Sequence, residues 1–243
     1  MLPDRYLGIW RRDWIERHNA DNGIVLRDDS PAIWFQSSCL HVDLRIDRSL
    51  RALTLATTSL PHTQIAFAGR TEVQAQGAAE ICQWHPAFAY PRIADEIDCG
   101  YMEFLTSTHL IERGIDGSYV ESWRRLNGDD ERLRCLHFQS MQDSAGQCYL
   151  MLGKNYFAFG SNRHHAECPG LPIFAWGERA KGVNAWRVKE SLAPWWVDRA
   201  IEIDSRFADI SAISPLVGMW RLPFFSASDW RLVAIDCDLA DRN

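Results

Sequence analysis

In the run Pro31-Ala32-Ile33-Trp34-Phe35-Gln36, and again in Leu40-His41-Val42-Asp43-Leu44-Arg45-Ile46, the side chains able to do chemistry occupy alternate positions. Alternation with a period of two is the mark of a strand, so Trp34 and Gln36 share one face, as do His41, Asp43 and Arg45. A second stretch, Tyr119-Val120-Glu121-Ser122-Trp123-Arg124-Arg125, sets Tyr119, Glu121, Trp123 and Arg125 on one face in the same way. Aromatic rings beside a few polar groups suit a small-molecule site: the rings bury ligand surface, and an arginine or carboxylate fixes its orientation. His41 with Asp43 also has the composition of a base and its orienting carboxylate. Side chains at i and i+2 of a strand are about 6–7 Å apart, however, too far to assure a direct bond. These nine residues are therefore assigned to ligand binding, and no catalytic residue is named. The same alternation allows a polar face that is solvated and ion-paired across strands, or one that forms an oligomer contact.

Other clusters carry less. His164-His165-Ala166-Glu167-Cys168 holds four potential metal ligands in five positions. Structural zinc usually draws on two separated ligand pairs, and Cys82-Gln83-Trp84-His85 would serve only if folding brought it near. A polar loop is the expected reading, and no metal site is assigned. Cys135 and His137 are neighbours on one strand face with the same spacing problem as His41 and Asp43. Trp195-Trp196, after Pro194, suits burial more than a partner or lid patch, because large rings contribute most to cores. There is no GxSxG elbow, no GxxxxGK[ST] loop and no strand-anchored GxGxxG. No cofactor is implied.

Strands must position these residues. Alternation and turn chemistry predict strands near 5–17, 31–37, 39–46, 63–75, 79–85, 100–105, 108–113, 117–126, 132–141, 146–152 and 155–160. Asp28-Asp29-Ser30-Pro31, Gly114 to Gly117, Asn127-Gly128-Asp129 and Ser144-Ala145-Gly146 supply the turns. The short spacings favour an antiparallel meander over helical crossovers. Residues 161–172 read as a loop, 173–193 as a helix or an irregular insertion, and strands return at 199–204, 217–222 and 228–237. No linker divides the chain, so 1–243 is taken as one compact unit. The alternative is two barrels, 1–113 and 114–243. Leu7-Gly8-Ile9-Trp10-Arg11 is weakly echoed by Val217-Gly218-Met219-Trp220-Arg221.

The bulk numbers exclude some classes. The chain has 243 residues, a net charge of −6 and 11 tryptophans, and no Lys/Arg run, which argues against a nucleic-acid partner. No apolar run approaches the ~18–20 residues of a membrane span, and the first residues lack the layout of a signal peptide. Seven scattered cysteines without a CxxC pair suggest reduced thiols in a cytoplasmic protein.

Gly8-Ile9-Trp10 on a first strand resembles the G-x-W element of calycins, the lipocalin-like superfamily. There the tryptophan packs across the closed end of a β-barrel beneath an arginine from a late strand, a place that Arg221 or Arg231 would fill here. Gly8 to Arg12, Trp34-Phe35-Gln36, Asp43 to Ile46, Phe67-Ala68-Gly69 and Gly117 to Arg125 together resemble a group of bacterial proteins related to a fungal family of paired lipocalin-like barrels. The resemblance covers about residues 6–160 and implies a fold but no activity. The expectation is an all-β, calycin-like antiparallel barrel with a helical or irregular elaboration in its C-terminal third. It would bind a small, partly polar molecule in its lumen, with room for a homo-oligomer contact. An enzyme using the same lumen for acid–base or cyclisation chemistry, with His41, Asp43, Arg45 and Glu121 as participants, is the alternative. A purely structural protein with a packed barrel is the third.

Overall fold

The computed structural model describes residues 2–18, 23, 25–46, 64–77, 79–91, 98–126, 128, 133–165, 168–180, 185–208, 220, 222–225 and 229–235. β1 (Gly8–His18), β2 (Val25–Asp28), β3 (Ala32–Gln36), β4 (Leu40–Arg45), β5 (Ile65–Gln76), β6 (Ala79–Tyr90), β7 (Asp98–Thr106), β8 (His109–Gly114) and β9 (Tyr119–Arg125) form one antiparallel sheet. β9 pairs back onto β1, which closes the sheet. β3 lies against Gly8–Arg11 and β2 against Ile15–His18 on the same side of β1, so the two act as one interrupted strand of an eight-stranded barrel. Closure gives every strand of the barrel an inner and an outer face.

A second antiparallel sheet runs through β10 (Arg134–Ser140), β11 (Gln147–Leu152), β12 (Tyr156–His165), β13 (Cys168–Arg179), β14 (Ala185–Ser191), β15 (Ala200–Glu202) and β16 (Trp230–Ile235). Its order is β15-β14-β13-β12-β11-β10-β16. The two sheets share a core. Ile33, Phe35, Val42, Leu44, Ala66 and Ala68 from the barrel pack with Cys135, Tyr149, Met151, Ala158 and Phe174 from the second sheet. This layer makes β3 and most of β4 buried on both faces. The aliphatic row of β4 faces the second sheet, which leaves its polar row for the lumen.

Two expectations change. The described residues of 173–193 carry no helix: β13 and β14 pair there as antiparallel strands. Trp186 and Val188 enter the core on the far face of the second sheet, while Arg187 between them is exposed, a period of two. Gly177 is a close-approach site and not a helix breaker, because a Cβ there would stand 2.1 Å from the Arg187 carbonyl oxygen. Residues 161–165 and 168–172 are not loop either, since β12 and β13 pair through them with register shifts. The Val217–Arg221 echo lies outside the described residues except for Trp220, which bridges to Trp230. No described helix is long and apolar enough to cross a membrane.

Candidate functional site in the barrel lumen

One end of the barrel is filled. A 3-10 turn at Asp4–Tyr6 precedes β1, and Tyr6 joins Leu2, Trp10, Trp34, Phe67, Cys82, Trp84, Leu110 and Trp123 in the inner core. Trp34 is its hub, with ring centroids 6.3 Å from Trp10, 5.5 Å from Trp84 and 6.2 Å from Trp123. Trp10 donates its Nε1–H to the Tyr6 carbonyl at 2.9 Å. The arginine over Trp10 is Arg125, 5.9 Å from the ring centroid, with Nη2 donating to the Leu7 carbonyl at 2.6 Å. The expected arginines do not fill this place: Arg231 is exposed on the second sheet and bonds Gln139, and Arg221 lies outside the described residues. β9 ends beside the start of β1, whereas Arg231 belongs to the other sheet, and that register decides the partner.

Toward this filled end, Trp34, Gln36, His41 and Thr71 form a closed hydrogen-bond chain. Gln36 Oε1 accepts from Trp34 Nε1 at 2.9 Å and from Thr71 Oγ1 at 2.7 Å, and Nε2 donates to the Ser37 and Leu40 carbonyls. With its proton given to Gln36, the Thr71 hydroxyl can only accept from His41 Nδ1, 3.0 Å away. His41 is thereby held as the Nδ1–H tautomer, and its buried Nε2 has no partner among the described residues. Burial pushes the His41 pKa down to about 3, with His85 and Arg45 adding to the drop.

Toward the other end the lumen is charged. Asp43 lies opposite Trp34 on β3 and Phe67 on β5. Arg45 Nε donates to Asp43 Oδ1 at 3.1 Å, and Nη2 donates to Asp98 Oδ2 at 3.0 Å. Burial lifts Asp43 to about 6 against the pull of Arg45. Burial opposes the charge on Arg45 as well, but Asp43, Asp98 and Glu121 outweigh it and raise its pKa. Across the barrel, Glu112 and Glu121 face each other on β8 and β9. Glu121 Oε1 accepts from Arg12 Nη1, and the rest of that guanidinium is held by Ser30. Glu112 accepts from Tyr119 Oη at 2.8 Å and from Trp123 Nε1 at 3.0 Å. Burial, with Glu121 and Asp98 nearby, pushes Glu112 well above the usual carboxylate range, and burial likewise raises the Tyr119 phenol.

All nine expected residues thus stand on inward-facing strand positions, in two groups. Trp34, Gln36, His41 and Arg125 belong to the filled end, and Asp43, Arg45, Tyr119 and Glu121 to the charged end, with Trp123 between. The cation that contacts Glu121 is Arg12; Arg45 acts on Glu121 only through the field. Arg12, Asp98, Glu112, Thr71 and Ser30 escaped sequence reasoning. The period of two from Trp10 places Arg12 on the face of Trp10, and that from Leu110 does the same for Glu112, so a signal existed for both. A bulge between Arg12 and Trp14 then turns Trp14 outward, where Arg27 lies over its ring at 4.4 Å, and returns Ile15 to the inside opposite Glu121.

The remaining candidates lie elsewhere. His137 packs edge-on against Tyr149 in the second sheet, with Cys135 in the shared core. His164 is exposed, and the side chains of the rest of its cluster lie outside the described residues. Trp195 and Trp196 are half-buried in a 3-10 turn packed on the shared core. Cys39 is disulfide-bonded, against the expectation of reduced thiols throughout, while Cys82, Cys99, Cys135 and Cys148 are free.

The chain matches no family model, and no curated protein matches it. Its structure is similar to the crystal structure of the uncharacterized protein YLR301w from Saccharomyces cerevisiae, with a TM-score of 0.55 at 11% identity over 93% of this chain and 98% of that one. At that identity the likeness speaks for the fold alone.

Proposed function

We propose that this protein binds a small, partly polar molecule in the lumen of the β1–β9 barrel, at its charged end. One observation carries the reading: Glu121 is 1% exposed, yet its Oε2 has no hydrogen-bond partner among the described residues. A buried carboxylate oxygen left unpaired costs roughly 1–3 kcal/mol or more, so a donor that meets it removes that cost. Trp123, Trp34 and Phe67 stand beside this ring of charges and supply apolar wall. Gly8-Ile9-Trp10 with Trp10 under Arg125 supports a calycin-like reading of the barrel. We take 1–243 as one unit, because a cut at 113/114 would part β9 from both β8 and β1. The four free thiols favour a cytoplasmic protein and the Cys39 disulfide counts against it. Neither nucleic acid nor membrane is part of the reading, and a homo-oligomer is compatible with it.

A second reading rests on a different observation. Glu112 is driven toward its neutral form by burial while it faces Glu121, which is ion-paired to Arg12. A carboxyl group favoured in its neutral form, facing a carboxylate that is ion-paired, is the equipment of an acid beside a charged partner. Native mass spectrometry of freshly purified protein tests the first reading. The expected result is a discrete mass above that of the chain, released on denaturation and missing from an Arg45→Lys variant of unchanged melting temperature. Protein that carries and takes up no small molecule under any loading condition argues for a packed structural barrel instead.

A further inference from the structure

We propose that the ligand of this lumen is a small organic cation, an ammonium group on an apolar body. The inference rests on the lumen-binding reading above and adds the sign of the ligand's charge. Among the described residues, four carboxyl groups face the charged end, Asp43, Asp98, Glu112 and Glu121, against two guanidiniums, Arg12 and Arg45. Both guanidiniums are spoken for. Arg12 divides its donors between Glu121 Oε1 and Ser30, and Arg45 spans Asp43 and Asp98. Among the described residues, that leaves Glu121 Oε2 buried without a partner and Glu112 held by the neutral donors Tyr119 and Trp123.

The surplus is negative and enclosed. At the short distances and low effective dielectric of a barrel interior, an entering anion meets repulsion and an entering cation meets attraction. The neighbouring surfaces point the same way. Trp123, between the two ends, is an almost wholly buried indole on this inner wall, and Phe67 already has the Arg45 guanidinium 5.2 Å from its ring centroid. Indole and phenyl faces attract ammonium groups through their quadrupoles. Among the described residues no donor occupies Glu121 Oε2, which leaves it to accept from an N–H or N–CH group.

The test is ligand-observed NMR on the whole chain with matched probes: choline and phenethylamine as ammonium members, 3,3-dimethylbutan-1-ol and 3-phenylpropan-1-ol as neutral counterparts, and 3-phenylpropanoate as the anion. At least one ammonium probe should bind about tenfold or more tightly than its neutral counterpart, and the preference should vanish in a folded Glu121→Gln variant. The wild-type comparison stands without that variant should it fail to fold. Equal binding of a neutral counterpart, or preference for the anion, overturns the cation inference while the lumen-binding reading survives. No ammonium probe bound at millimolar concentration also overturns it, and lumen binding falls too only if native mass spectrometry finds the barrel empty under every loading condition.

Discussion

At the scale of single residues, the lumen holds two titrating groups with opposite leanings. His41 is a base whose pKa falls on folding from 6.5 to about 3. Its contribution is present above 6.5 and is lost as pH falls, because the unfolded chain takes up the proton first. Asp43 is an acid whose pKa rises from 3.8 to about 6. Its contribution is present below 3.8 and is lost as pH climbs toward 6. Between about pH 4 and 6 the two slopes, each about 1.4 kcal/mol per pH unit, oppose each other. His41→Gln should therefore gain stability on acidification relative to wild type, and Asp43→Asn should lose it, with Asp98 still holding Arg45. Urea melts at two pH values in this window check both signs. Variants that follow the wild-type pH dependence would mean that neither group is buried as described.

At the scale of elements, strand register places the site, and two devices hold it. The first is the filled end, where Trp10 sits between the 3-10 turn, Trp34 and Arg125. Trp10→Ala should cost ~3–5 kcal/mol in a denaturant melt, and a loss below 1 kcal/mol would refute burial in the floor. The second is Gly100, where a Cβ would stand 2.8 Å from Glu112 Cγ. Gly100→Ala must displace that carboxylate, so we expect a loss of ~1–3 kcal/mol and loosened Trp123 and Tyr119 contacts, visible as a change in tryptophan emission. The polar row of β4 was legible from alternation alone, because an aliphatic row opposite it needed a covering layer. Which face met the lumen was not, since that depended on the second sheet packing over Val42 and Leu44. Arg12 was half legible: the period from Trp10 includes it, but the bulge after it breaks the count. Asp98 could not be found, because it meets Arg45 only through the order β4-β5-β6-β7. The pairing of β13 and β14 was hidden because 173–193 lacks a clean alternation, and Gly177, which admits a close strand crossing, gives no strand signal of its own.

At the scale of the whole molecule, the barrel and the second sheet are coupled by the aliphatic layer between them. A chain ended after Leu126 keeps all barrel strands but bares Ile33, Phe35, Val42, Leu44, Ala66 and Ala68, an apolar surface of the kind that drives association. It should aggregate or bind a hydrophobic dye, and a monomeric fragment as stable as the whole chain would contradict the shared core. The same coupling turns the charged row inward, and on that orientation the proposed function depends. Denaturant unfolding of Arg45→Ala at pH 8 measures it most directly. Removing Arg45 leaves Asp43, 2% exposed, ionised and without its cation, and breaking a buried pair in this way costs ~3–5 kcal/mol. An exposed pair is worth only about 0–1 kcal/mol. A loss in the upper range, reduced at pH 5 where Asp43 can take up a proton, is the predicted result; a loss below about 1 kcal/mol at both pH values would put the row on the surface and contradict a charged lumen.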